Sequence, residues 1–102
     1  MKCIHLKVDG QMLNRLDNEE YIAGSKNYFK CLFTFTEDLK TYRKVAKFRF
    51  GSKEDYQPIL NDQCIVPNSM TNFRSFCIQV LMIKDKQYIP TNEVTIRQEV
   101  TS

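Results

Sequence analysis

Nucleophilic catalysis needs a serine or cysteine beside a base, and that base is most often histidine. This chain has one histidine, His5. It lies in the run Cys3-Ile4-His5-Leu6-Lys7-Val8, which alternates polar and apolar residues. On a strand, His5 therefore shares its face with Cys3 and Lys7, the setting of a surface residue. Adjacent carboxylates occur at Glu19-Glu20, Glu37-Asp38 and Glu54-Asp55. General acid–base work requires a carboxylate desolvated in a cleft. All three pairs sit in polar stretches with lysine nearby, the composition of solvated loops. The four cysteines are Cys3, Cys31, Cys64 and Cys77, and the closest pair is thirteen positions apart. That spacing contains no CxxC unit from which to build a zinc or redox site. No glycine-rich phosphate loop or metal-spaced carboxylate set is present. The expectation is a protein that is not an enzyme and has no catalytic residues, cofactor or metal site.

The residue types that remain suit recognition by contact. Aromatic and arginine side chains dominate the energetics of protein interfaces. The chain offers Tyr21, Tyr28, Tyr42, Tyr56 and Tyr88, each expected half-exposed near a strand end. It also offers a basic knot of Lys40, Arg43, Lys44, Lys47 and Arg49. In a strand, Lys47 and Arg49 lie opposite Ala46, Phe48 and Phe50. That charged outer face reads first as solvated surface and second as a weak phosphate-contacting stripe. The run 75–83 places Cys77, Gln79, Leu81 and Ile83 on its outer face, too apolar a set to be fully solvated. Either a second layer of this chain or another chain is expected to cover it. The candidate partner-binding residues are therefore Tyr21, Tyr42, Arg43, Lys47, Arg49, Tyr56, Leu81, Ile83 and Tyr88.

These residues must be positioned by strands, because period-two alternation recurs along the chain. Phe29, Cys31, Phe33 and Phe35 share one face of the run 28–36, and Phe76, Ile78, Val80 and Met82 share one face of 75–83. Ile4, Leu6 and Val8 do the same in residues 2–8. Val94, Ile96 and Val100 do so in the closing run 92–100. Asp9-Gly10 is a two-residue hairpin signal that would set Val8 against Gln11 and Leu6 against Leu13. Residues 16–20 read as a loop, Tyr21-Ile22-Ala23 as a short edge strand and residues 24–27 as a turn. Thr36 is placed to cap one helical turn over 37–40. Residues 44–50 form a strand, 51–55 a hairpin loop, and 56–60 a strand whose Pro58 confines it to a sheet edge or a bulge. Asn61-Asp62 is a second tight turn, leading into Cys64-Ile65-Val66. Residues 67–72 are a loop with one helical turn, and 84–86 another turn. About seven to nine short strands spaced by turns describe a single-domain antiparallel β-sandwich, Ig-like, or a small barrel.

Composition agrees. The chain has 102 residues, one domain's length, which buries roughly two-thirds of its unfolded surface. Apolar residues make up 42 % and aromatic residues 12 %, which excludes a disordered chain. The net charge of +3 falls short of the footprint of a dedicated nucleic-acid binder. No apolar run is long enough for a membrane span. The opening residues 1–7 carry no apolar signal core, so free thiols in a reducing cytoplasm are expected, with Cys31 and Cys64 as buried hydrophobes and Cys3 and Cys77 on outer faces.

Four segments carry a resemblance. Asn27-Tyr28-Phe29-Lys30-Cys31-Leu32-Phe33-Thr34-Phe35 is similar to the tyrosine-then-alternating-phenylalanine strand that opens a small β-domain of Gram-positive phages and prophages. Val45 through Gly51 looks like that domain's next strand. Tyr56 through Ile65-Val66-Pro67 looks like its turn and exit, and Ile89 through Ile96 like its closing strand. The family commonly has a tryptophan where this chain has Leu39-Lys40-Thr41-Tyr42. Such domains belong to tail, baseplate or head-fibre accessory proteins and serve as attachment modules. The resemblance implies a structural or attachment module acting through protein–protein contacts, in the cytoplasm of a host bacterium and assembled into the virion. The partner would be another virion protein, or a second copy in a homo-oligomer. The rival expectations are a small phage-encoded inhibitor of a host defence protein or host enzyme and, more weakly, a nucleic-acid-binding β-module. A membrane partner is not expected.

Overall fold

A computed structural model describes residues 2–17, 21–22 and 29–99. The chain is all-β and sandwich-like. Its strands are β1 (Lys2–Asp9), β2 (Met12–Arg15), β3 (Tyr21–Ile22), β4 (Phe29–Phe35), β5 (Arg43–Phe50), β6 (Lys53–Pro58), β7 (Gln63–Ile65), β8 (Ser75–Lys84), β9 (Gln87–Pro90) and β10 (Val94–Glu99). A 3₁₀ turn covers Glu37–Leu39, and a one-turn helix, α1, covers Asn68–Thr71. One sheet has the order β2-β1-β4-β7. The other runs β3-β10-β8-β5-β6, with β9 paired to the second half of β8.

The alternation in the sequence became the core. Ile4, Leu6 and Val8 of β1 and Phe29, Cys31, Phe33 and Phe35 of β4 face Ala46 and Phe48 of β5, Phe76, Ile78, Val80 and Met82 of β8, and Ile96 of β10. Burying each large side chain contributes about 1.5–3 kcal/mol, so these two inner faces dominate the stability. Leu39, Ile59, Val66 and Met70 close the ends of this core.

Several expectations are corrected. Ten strands form among the described residues, and not all pairs are antiparallel. β1 and β4 run parallel, Ile4 opposite Cys31 and Leu6 opposite Phe33, and β3 is parallel to β10. A parallel pair needs a crossover connection, and here the chain visits the second sheet at β3 before returning beside β1. The first hairpin turns at Gly10-Gln11, one position later than Asp9-Gly10. Asp9 pairs with Met12, Val8 with Leu13 and Leu6 with Arg15. The shift puts Leu13 in the core beside Val8 and leaves Gly10, at φ 59°, to take the conformation that costs other residues most.

The loop expected over 51–55 shrinks to Gly51-Ser52, with Lys53, Glu54 and Asp55 inside β6, where an exposed edge tolerates their charges. Pro58 lies on that edge strand, as its missing donor requires. Phe50 is not core: it is 41 % exposed and stacks on Phe73 with centroids 3.9 Å apart. Thr36 does not cap the 3₁₀ turn through its hydroxyl, which is buried with no hydrogen-bond partner among the described residues. Asn61 and Asp62 both adopt positive φ, as a tight turn there demands. Tyr28, Val100, Glu19-Glu20 and the turn at 24–27 lie outside the described residues.

Candidate protein-binding face

Cross-strand register assembles the outer face of the second sheet. Side chains directly opposite on antiparallel strands share a face about 5 Å apart, so the pairing can be read as rows. One row is Tyr56, Lys47 and Gln79. The next is Pro58, Val45, Leu81 and Pro90. The third is Arg43, Ile83 and Tyr88. Toward the other end, Glu54, Arg49, Cys77 and Thr95 form a row, and Ser75 stands opposite Arg97. Seven of the nine candidate residues, Arg43, Lys47, Arg49, Tyr56, Leu81, Ile83 and Tyr88, therefore lie on one face.

Tyr42 does not join that face. Tyr42 precedes β5, packs half-buried against the core, and has Lys84 Nζ 5.3 Å from its ring. Tyr21 lies on β3 with its backbone opposite Gln98, at the far edge of the sheet.

The face is graded in polarity. Its apolar end centres on Leu81, which is only 5 % exposed yet lies outside the common core. Leu81 points away from Val80 and Met82, and its shelter comes from neighbours on its own face, Val45 and Pro90 among them. Tyr56 and Tyr88 stand around it at 51 % and 60 % exposure. Beside this end, Tyr42, Arg43, Lys44, Val45 and Pro58 meet the Ile59–Asp62 turn in a groove of about 320 Å³. Leu60, on that turn, is 68 % exposed.

The middle of the face is neutralised. Lys47 Nζ lies 2.6 Å from Glu54, and Arg49 grips Glu93 with two nitrogens, at 2.8 and 3.0 Å. The hydrogen bond from Arg49 holds the Glu93 carboxyl below its ordinary pKa, and the bond to Glu54 raises that of Lys47. Of the rest of the basic knot, Lys40 pairs with Glu37 and Lys44 stands over the ring of Phe35 at 4.4 Å. The knot that looked continuous in sequence is thus mostly consumed by local partners. Arg43, exposed at the groove, and Lys44 are its members with no ion pair among the described residues, and Lys44 has the Phe35 ring as its partner.

The residues first weighed for catalysis are dispersed. His5 lies on the exposed outer face of the first sheet, opposite Leu32. Glu54 and Asp55 project to opposite faces of β6, one to Lys47 and the other accepting from Ser69 Oγ at 2.9 Å. Cys31 and Cys64 face each other across β4 and β7, both buried. Their mutual hydrogen bond and burial push the Cys31 thiol above its ordinary pKa, the opposite of nucleophilic activation. Among the described residues, no group of three His, Cys, Asp or Glu is placed to hold a metal ion, and no helix is long and apolar enough to cross a membrane.

No family model matches this chain, and no curated protein or solved structure matches it.

One structural residue escaped the sequence reading. Asn92 donates from Nδ2 to the Leu13 carbonyl at 3.1 Å and accepts the Leu13 amide on Oδ1 at 2.7 Å. Its side chain thus pairs with β2 as another strand would, and ties the first sheet to the β9–β10 corner of the second. Thr91 completes that corner: its hydroxyl accepts the Val80 amide at 3.0 Å and donates to the Asn92 carbonyl at 2.9 Å. The only sequence signal was a Pro-Thr-Asn interruption between two strand-like runs.

Proposed function

We propose that this protein is a non-enzymatic module that binds another protein with the apolar end of its second sheet, as a structural or attachment component of a phage or prophage particle. The observation that carries the binding reading is the cluster of Leu81, Val45, Pro90 and Ile83, flanked by the exposed rings of Tyr56 and Tyr88. An apolar centre rimmed by aromatic and arginine side chains is the composition of an interface hot spot. The open edge of β6 beside it offers unpaired backbone groups to a partner's strand. The phage setting rests on the resemblance of the four segments alone.

The nucleic-acid reading is weakened by the ion pairs at Lys47 and Arg49, whose cations are already met by carboxylates. The test is recovery of the chain with purified particles, detected by mass spectrometry, for wild type and for Tyr88→Asp. Wild type is expected in the particle and Tyr88→Asp is expected to be lost from it while remaining folded. Absence of the wild-type chain from particles, together with a monomeric state by light scattering, overturns the structural assignment. Recovery of one host enzyme or defence protein on the same face, sensitive to Tyr88→Asp, would identify the inhibitor instead.

A further inference from the structure

At the opposite end of the same sheet, away from the apolar cluster, Arg74, Ser75, Thr95, Arg97 and Gln98 line an open hollow of about 310 Å³. Both arginines are exposed, and neither makes an ion pair among the described residues. This contrasts with Arg49 and Lys47 further along the face. Arg97 stands directly opposite Ser75, and Thr95 opposite Cys77, with Thr95 Oγ1 3.6 Å from Cys77 Sγ.

The backbone under the hollow is fixed. The Gln98 amide donates to the Arg74 carbonyl at 2.6 Å, and Gln98 Nε2 donates to the Phe73 carbonyl at 2.7 Å. Gln98 is 7 % exposed, so this tie between the start of β8 and the end of β10 is shielded from water. Two arginines and two hydroxyl-bearing residues thus line one depression over braced backbone.

We propose that this hollow binds a terminal phosphoryl group, a monoester or free phosphate dianion. Guanidinium groups match phosphoryl oxygens in planar, bidentate fashion, and the hydroxyls of Ser75 and Thr95 can donate to the remaining oxygen. Two arginines lining one hollow, with no ion pair among the described residues, suit a group carrying two charges on three oxygens. A polynucleotide backbone spreads single charges along a track and needs a track of free cations. Here the next cations on the face, Arg49 and Lys47, are held by Glu93 and Glu54. The geometry therefore favours a terminal group over a chain of diesters. The site is separate from the apolar cluster and stands or falls independently of the protein-binding reading.

The experiment is an amide-resolved NMR titration of the full chain at constant ionic strength, with inorganic phosphate and then phenyl phosphate as probes. Saturable shifts are expected at residues 74, 75, 95 and 97, with a Kd on the order of 1 mM. Arg74→Gln and Arg97→Gln are each expected to weaken binding by about tenfold, the loss of one charged hydrogen-bonding partner. Unchanged thermal unfolding of these surface variants would show the loss to be local, and Tyr88→Asp is expected to bind phosphate as wild type does. Shifts that never saturate, or that chloride reproduces at equal ionic strength, overturn the proposal. So does tighter binding of a 5′-hydroxyl oligonucleotide, which carries diesters only and would assign the face to nucleic acid. Phosphate binding that survives the double variant also overturns it.

Discussion

Asn92 shows how much one side chain can hold. Its amide replaces a strand at the β2 edge, satisfying both the N–H and the C=O of Leu13. Leu13 is itself buried, so removing the amide would leave two backbone groups to find partners at a part-buried corner. Asn92→Ala is expected to cost about 1–3 kcal/mol, measured by chemical denaturation. Asn92→Asp would keep the acceptor for the Leu13 amide and lose the donor to its carbonyl, and should fall between wild type and alanine near neutral pH. Gly10 is a second residue whose role depends on backbone alone. No atom lies within 4 Å of where its Cβ would be, so space does not require glycine there; its φ of 59° does. Gly10→Ala is expected to destabilise by about 1 kcal/mol through strain, with unchanged fold by circular dichroism.

Among elements, the ion pair from β5 to the segment before β10 carries the clearest pH signature. Arg49 holds Glu93 below its ordinary pKa of 4.5, so the folded state stabilises the charged carboxylate. A group depressed on folding contributes stability above its unfolded pKa, and that contribution is lost as pH falls through the folded value. Glu93→Gln should therefore unfold at a lower temperature than wild type near pH 7. The gap should close progressively as pH drops below 4.5, and added salt should narrow it at pH 7, because both side chains are about one-third exposed. A gap that persists unchanged at pH 2 would remove the carboxylate charge as its cause. The strand β6 shows a different element-scale effect. Its sequence, Lys-Glu-Asp-Tyr-Gln-Pro, has poor intrinsic strand character, yet it pairs with β5 along six residues. Tertiary context overrides propensity there, because an edge strand needs only one paired side and welcomes charge on the other.

At the scale of the whole molecule, the core and the proposed binding surface occupy opposite faces of the second sheet. Its inner face holds Phe48, fully buried and 6.1 Å from the ring of Phe76. Phe48→Ala is expected to cost about 3–5 kcal/mol, a large share of a small domain's stability. On the outer face, Tyr88→Ala should change stability by less than about 0.5 kcal/mol while weakening partner binding, since an exposed ring loses little on truncation in the free protein. Equal destabilisation by the two variants in parallel thermal melts would mean that the outer face is structural.

The sequence determined the inner faces of β1, β4 and β8 and most of that of β10. Alternation in 2–8, 29–35, 75–83 and 94–96 is a local property, because successive side chains on a strand must point apart, and it marked most of the buried residues before any contact was known. It also placed Lys47 and Arg49 on one face and Leu81 and Ile83 on one face. What it did not contain was which strands lie side by side. The parallel β1–β4 pair, the one-residue shift of the first hairpin and the clamp at Asn92 all depend on residues distant in the chain meeting at defined register. Tertiary placement likewise decided that Lys47 and Arg49 meet carboxylates while, among the described residues, Arg74 and Arg97 do not. Charge along a sequence says how many cations there are, but only tertiary structure decides which are neutralised, because Coulomb energy depends on distance through space and not along the chain.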